Sequence, residues 1–304
     1  MMFRFSFVFI ILLVLQLNSI ATHTFAQIKS PQESAQEMNN FSLTGISEKG
    51  RKNWDITGKS ADIGSDVIKL NDIVSNFYGE NENVKLTAAK GDFNRQQGYL
   101  HLEKDVVVTT SSGTKMTTDT LVWDRKEQLV STKDPVNIER QDMVITAQGA
   151  KGYSDLNKVD LEKDVQMQIS NKETDPRGDN AGEKTIVINC DGPLEIDYRN
   201  NIATFNNNVK VHSRDGVIQS DIMEVYFLTK DKAAQVGKTV DNSSFSTAQI
   251  EKIIARGNVK ITRDENVSYS DEAVYTASLR KITLSGRPKL VIYSTEGINA
   301  SSGN

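Results

Sequence analysis

The sequence predicts an all-β protein of antiparallel strands stacked from units of about 30 residues. Three observations predict it. From about Trp54 onward, runs of alternating apolar and polar residues recur every 8 to 12 residues, divided by clusters of Asp, Asn, Gly and Lys. Alternation with period two, rich in β-branched and aromatic residues, marks half-buried strands, and the dividers mark turns. The helical spacing i, i+3, i+4, i+7 is not sustained anywhere after residue 26. Finally, the pentapeptide "LEKDV" stands at Leu102–Val106 and again at Leu161–Val165, 59 positions on.

Other markers keep the same clock. Phe93, Trp123 and Tyr153 are 30 and 30 residues apart, each preceded four positions earlier by Ala89, Asp119 and Gly149. Val106, Val136 in "KDPVNI" and Val165 follow at spacings of 30 and 29. Two markers in step at a period of 20–50 residues indicate a structural unit that stacks on copies of itself. Each unit has room for two or three short strands. A single such hairpin is unstable alone, so stacking must supply the burial, with two sheets facing each other over an apolar interior.

Taken from the N-terminus, "MMFRFSFVFIILLVLQLNSIATHTFAQ" has one cation at Arg4, an apolar run from Phe5 to Leu17, and then small and polar residues. That order is a secretory signal over residues 1–26, with Thr24 and Ala26 at the −3 and −1 positions. A run of 13 residues is short of the roughly 20 that a spanning helix needs. Stretched over residues 5–21, the same segment reads as an uncleaved anchor. Residues 27–52 are polar and turn-rich, which predicts a flexible lead-in. A first β module is expected over 53–172, with strands such as "YLHLEKDVVVTT" and "KMTTDTLVWD". The stretch "SNKETDPRGDNAGEK" holds no large apolar residue and places a linker at 173–184. A second module follows over 185–304, with "TIVINC", "NVKV" and "NVKI", and a polar insertion at 229–249.

Composition narrows the function. The net charge is −4, or −5 once Arg4 leaves with the signal, with both signs mixed, which argues against nucleic acid as a partner. One cysteine, Cys190, cannot form an internal disulfide and is expected on a strand rather than as a reactive thiol. His101 and His212 stand alone in alternating runs, and no His, Cys, Asp or Glu cluster has metal-ligand spacing along the chain. No G-x-S-x-G, phosphate-loop or G-x-G-x-x-G pattern is present. The Asp residues of "KDV", "SDL", "RDG" and "SDE" are expected at turns. No catalytic residue, metal or cofactor is assigned.

"NWDITGKSADIGSDVIKLNDIVSNFYGENENVKLTAAKGDF" (Asn53 to Phe93), with the units that follow it, resembles LptC, the inner-membrane-associated component of the lipopolysaccharide export bridge. "CDGPLEIDYRNNIATFNNNVKVHSRDGVIQSDIMEVYF" (Cys190 to Phe227) resembles the LptA/OstA-type module of that bridge. The resemblance implies two consecutive twisted open β-jellyroll modules in the periplasm. It also implies a lipopolysaccharide ligand whose lipid A acyl chains lie between the sheets, an inner-membrane ABC transporter as partner, and further bridge modules joined by edge-strand pairing. This chain is longer than either single component, which suggests a fused version.

The repeated apolar stripes agree with that reading. Burying each methylene contributes roughly 0.8 kcal/mol, so a trough of Leu, Val and Ile can hold acyl chains with no catalytic group. The expected wall comprises Leu100, Leu102, Val106, Val108, Leu121, Trp123, Val136, Ile138, Val165, Met167, Val209, Val211, Ile261 and Ile292. Sheets that close tightly turn this stripe into an ordinary core, and sheets that stay splayed leave it an open trough. The sequence permits both. A non-catalytic structural or adhesive β-repeat protein of the cell surface is the alternative, and it requires the closed form. A β-helix enzyme would need a cluster of carboxylates on one face, which the sequence lacks.

Overall fold

The computed structural model describes residues 36–46, 50–63, 66–78, 83–94, 96–124, 126–127, 129–153, 158–171, 184–228 and 250–293. All regular structure among them is β-strand. The first nine strands are β1 (Gln36–Ile46), β2 (Lys52–Ile63), β3 (Val67–Tyr78), β4 (Asn83–Asn94), β5 (Tyr99–Thr110), β6 (Lys115–Asp124), β7 (Leu129–Arg140), β8 (Met143–Tyr153) and β9 (Lys158–Asn171). Then come β10 (Lys184–Cys190), β11 (Leu194–Asp197), β12 (Ile202–Ser213), β13 (Gly216–Phe227), β14 (Ile250–Arg263), β15 (Asn266–Thr276), β16 (Lys281–Ser285) and β17 (Lys289–Val291). Apart from β10 with β11 and β16 with β17, consecutive strands pair antiparallel, as a continuous meander. β10 and β11 are two pieces of one strand, since both lie between β9 and β12. β16 and β17 likewise share β15.

The strands are longer than the sequence runs suggested, because most of them bend in the middle instead of ending. Lys104 and Asp105 of "LEKDV" lie inside β5 with φ of 63° and 53°, and the ladder to β6 slips there, between Glu103 and Val106. The same happens at Asp164 (φ 49°), at Asn207 and Asn208 (65° and 52°), and at Gly257 and Asn258 (75° and 47°). These are β-bulges, which bend a strand and sharpen its twist. Asp, Asn and Gly recur there because they tolerate left-handed backbone at low cost. The expectation that "KDV" forms a turn is therefore corrected, and so is that for "SDE", which lies within β15. "RDG" does form the turn between β12 and β13, and "SDL" lies outside the described residues.

The bulge also explains the repeat. Directly after each one stands a valine with almost no exposure, Val106 (0%), Val165 (2%), Val209 (0%) and Val259 (1%), and Val136 (2%) follows the slip of the β7 ladder between Thr132 and Pro135. One 30-residue unit is two long strands, one of them bulged at its centre. Phe93 and Trp123 are the next-to-last residues of β4 and β6, and Tyr153 is the last residue of β8.

The expected flexible lead-in is corrected in part, since Gln36–Ile46 is the strand β1. Its sequence is polar because it is an edge, paired to β2 alone among the described residues. Two aromatic–glycine pairs hold it there. Phe41 faces Gly58 and Gly45 faces Trp54 across the ladder. A Cβ on Gly58 would lie 2.5 Å from the Phe41 ring, and one on Gly45 would overlap Trp54, so the rings lie flat on bare backbone. The signal or anchor segment, the polar insertion at 229–249 and all of the linker except Lys184 lie outside the described residues. On either side of that linker β9 and β10 are hydrogen-bonded in register, Cys190 opposite Val165, so both halves share one sheet and one apolar interior. Among the described residues no helix is long and apolar enough to cross a membrane.

Asp55 anchors the N-terminal end of the sheet. It is 7% exposed and accepts hydrogen bonds from Asn76 Nδ2 (2.7 Å) and Tyr78 Oη (2.8 Å), with Lys52 as an ion-pair partner. Burial pushes its carboxyl up, but the bonds from Lys52, Asn76 and Tyr78 outweigh that and hold it below its ordinary 3.8. The folded chain thus binds this proton less readily than the unfolded chain does. The stabilisation is complete above the ordinary carboxyl range and is lost as pH falls through the depressed value. Hydrogen-exchange protection of β2 and β3 is expected to fall in acid in the wild type. In Asp55→Asn that component of the fall should be absent, and an unchanged acid profile would refute the role.

Candidate functional site

The bends fold each strand back so that its two ends face one another. β9 shows this directly: Val159, Leu161, Met167 and Ile169 all line a single cavity of about 400 Å³. Along a straight strand Val159 and Ile169 would stand about 33 Å apart, at roughly 3.3 Å per residue. The same cavity is lined from both arms of β12 (Phe205 and Val211), β13 (Ile218 and Val225) and β14 (Ile253 and Ile261). It extends from β7 and β8 across the β9–β10 join to β15, and its volume lies at the lower end of the roughly 300–1,000 Å³ found for small-molecule sites.

The cavity is apolar in its depth and differs at its two rims. The turns β7–β8, β12–β13 and β14–β15 bring Arg140, Asp215 and Arg263 to one rim. Arg140 is 9% exposed, and Arg263 Nε donates to the Asp215 carbonyl oxygen at 3.3 Å. The opposite rim carries Tyr198, Phe227 and Tyr275. The outer face is ionic: Arg256 is held between Glu224 (2.6 Å) and Glu272 (3.1 Å), and the Tyr226 hydroxyl donates to Glu224 at 2.9 Å. The Glu224 hydrogen bond leads in raising the Arg256 guanidinium above its usual range. Cys190 is buried in β10, and burial pushes its thiol up, keeping it neutral.

Of the expected wall residues, Ile138, Met167, Val211 and Ile261 line this cavity. Leu102, Val106, Val108, Leu121, Val136, Val165 and Val209 are buried in the core but do not line it. Val106, Val136, Val165 and Val209 pack at the closed crease beside a break in the ladder, whereas Leu102, Val108 and Leu121 lie on β5 and β6, strands that contribute no residue to the cavity. Leu161 and Met167, which hold the places of Leu102 and Val108 in the repeat 59 residues on, do line it. Leu100 is half-buried against the core and Trp123 is half-buried. Ile292, past the end of β17, is 66% exposed, so its place in the wall is corrected. Phe205, Ile145, Ile186 and Met223 line the cavity and were not expected to.

His101 lies half-buried on β5, opposite Asp92 of β4, and His212 lies on β12. Strand pairing also gathers Asp92, His101 and Glu103, with one potential ligand atom from each within 4.8 Å of the others. No spacing along the chain announces that group.

Comparison with known proteins gives two family matches. Residues 5–170, more than half of the chain, match the family described as lipopolysaccharide-assembly, LptC-related. Residues 192–304 match the family described as LptA/(LptD N-terminal domain) LPS transport protein. No curated protein sequence matches the chain. Among solved structures, the chain is similar to LptH, the LptA homologous periplasmic component of the lipopolysaccharide transport device from Pseudomonas aeruginosa. The identity is 11% and the TM-score 0.20, over 69% of this chain and 95% of that one. Both matched families are defined by transport and assembly rather than by a reaction, and they make this chain a component of the periplasmic lipopolysaccharide transport bridge. The chain belongs to the LptC-related family of lipopolysaccharide-assembly proteins, with an LptA-like region following in the same polypeptide.

Proposed function

We propose that the cavity between the strand arms holds lipid A acyl chains while lipopolysaccharide passes from the inner-membrane ABC transporter toward the outer membrane. One observation carries the reading: a single apolar cavity crosses the β9–β10 join, so the LptC-like and LptA-like regions contribute to one wall. Its depth offers hydrocarbon contact without directional bonds. A chain can therefore shift along it between sites of similar energy, and net direction comes from the transporter. The guanidinium groups of Arg140 and Arg263 at one rim suit the anionic end of such a lipid.

The ends of the sheet fit serial assembly. Among the described residues β1 pairs with β2 alone, and the β16–β17 end, paired there only to β15, exposes Ile282, Leu290 and Ile292. Such an edge accepts a strand from another module. An uncleaved segment over residues 5–21, the alternative to the expected signal, would fix the N-terminal end at the inner membrane.

The test is photo-crosslinking in cells that make lipopolysaccharide. A photoreactive residue at Met167 or Val211 should give lipid adducts, and one at Lys210, whose side chain faces the other way on β12, should not. Equal labelling at Val211 and Lys210 would sink the proposal.

A further inference from the structure

We infer that Asp92, His101 and Glu103 bind a single divalent transition-metal ion on the outer face of the N-terminal half. Asp92 of β4 and His101 of β5 are direct cross-strand partners, and Glu103 follows two residues on, on the same face. One ligand atom from each lies within 4.8 Å of the others, and His101 Nδ1 is 3.3 Å from Glu103 Oε1. The backbone beneath is fixed. Leu102, between the two β5 ligands, is 3% exposed on the core side, and a Cβ on Gly91 would lie 2.9 Å from it.

The repeat provides an internal comparison. Shifting 59 residues, the interval between the two "LEKDV" segments, turns Asp92, His101 and Glu103 into Lys151, Asp160 and Glu162. These are placed alike: Lys151 is the cross-strand partner of Asp160 and forms an ion pair with Glu162. In β8–β9 two carboxylates thus surround an ammonium that the chain supplies. In β4–β5 the ammonium position is occupied by a carboxylate and one carboxylate by an imidazole. The donors remain and the cation between them is gone. Lys69 and Lys90 stand opposite Asp92 and Glu103 in register. Even so, the one ion pair that the three ligands make among the described residues is His101 with Glu103.

One imidazole nitrogen and two carboxylates select zinc, cobalt or nickel over calcium and magnesium, which prefer oxygen alone. Bonds of about 2.0–2.2 Å require the three donors to close by small side-chain rotations, leaving an open position for water. The ion would clamp β4 to β5 on the face opposite the interior.

Untagged protein titrated with Zn²⁺ against a chromophoric chelator, and with Co²⁺ by visible absorption, is expected to bind one ion per chain and to melt at a higher temperature with the metal. Asp92→Lys places an ammonium where β8 carries Lys151. It should abolish binding while the metal-free melting temperature holds. His101→Asn should weaken binding by more than the roughly 10–100-fold that follows loss of a group merely supporting a ligand. His212→Asn should bind as the wild type does. The inference is overturned by a wild type without saturable one-to-one binding, by undiminished binding in Asp92→Lys and His101→Asn, or by loss of binding in His212→Asn.

Discussion

Phe205→Ala is expected to destabilise the chain by about 3–5 kcal/mol, the range for removing a buried aromatic ring from a packed core. Phe205 is 1% exposed at the centre of the second half. It faces Leu194 of β11 on one side and Met223 of β13 on the other, themselves 0% and 3% exposed. Strands on both sides are tied into ladders and cannot collapse into the space, so the void should persist and the cost lie near the upper end. The ring also borders the cavity, so the mutation enlarges it. Urea denaturation provides the measurement, and a loss below about 1 kcal/mol would show that the ring is not packed as described.

Ala255→Phe is expected to have the opposite geometric effect and the larger functional one. Ala255 is 3% exposed on β14, between Met223 and Ala273 of the flanking strands, and borders the cavity. A benzyl group there has the cavity as its available space. Overpacking costs typically 1–3 kcal/mol, which a sheet of this length tolerates. If the ring displaces about four methylenes of a bound acyl chain, at roughly 0.8 kcal/mol each, affinity falls by about 3 kcal/mol, a hundredfold or more. Lipid adducts at Val211 should vanish while the thermal melt stays cooperative. Persistence of those adducts at wild-type yield would mean that the lipid lies elsewhere.

Strand identity, antiparallel order and the repeat were legible in the sequence because each rests on local pattern: alternation, dividers and a valine on a fixed clock. The bend was not legible. "LEKDV" and "NNNVKV" carry residues common to hairpin turns and to mid-strand bulges, and only the ladder to the neighbouring strand distinguishes them. Missing the bend also blurred the site. Val106 and Val211 look alike in an alternating run, yet one lies in the crease and the other in the cavity wall. β1 was hidden for another reason. Its burial depends on Phe41 meeting Gly58, a long-range pairing that the polar composition of Gln36–Ile46 does not announce. Asp92 and His101 likewise meet only through the register of β4 and β5.

The continuous ladder between β9 and β10 has a kinetic corollary. Where two separate proteins meet at such a seam, cargo crosses only while they are docked, so the rate depends on how much of each is present. Here the seam is intramolecular, the stoichiometry is one to one by synthesis, and dilution cannot part the halves. If acyl chains move through the cavity as proposed, their passage across residue 190 is a first-order event whose speed depends on the local shape of the cavity and not on abundance.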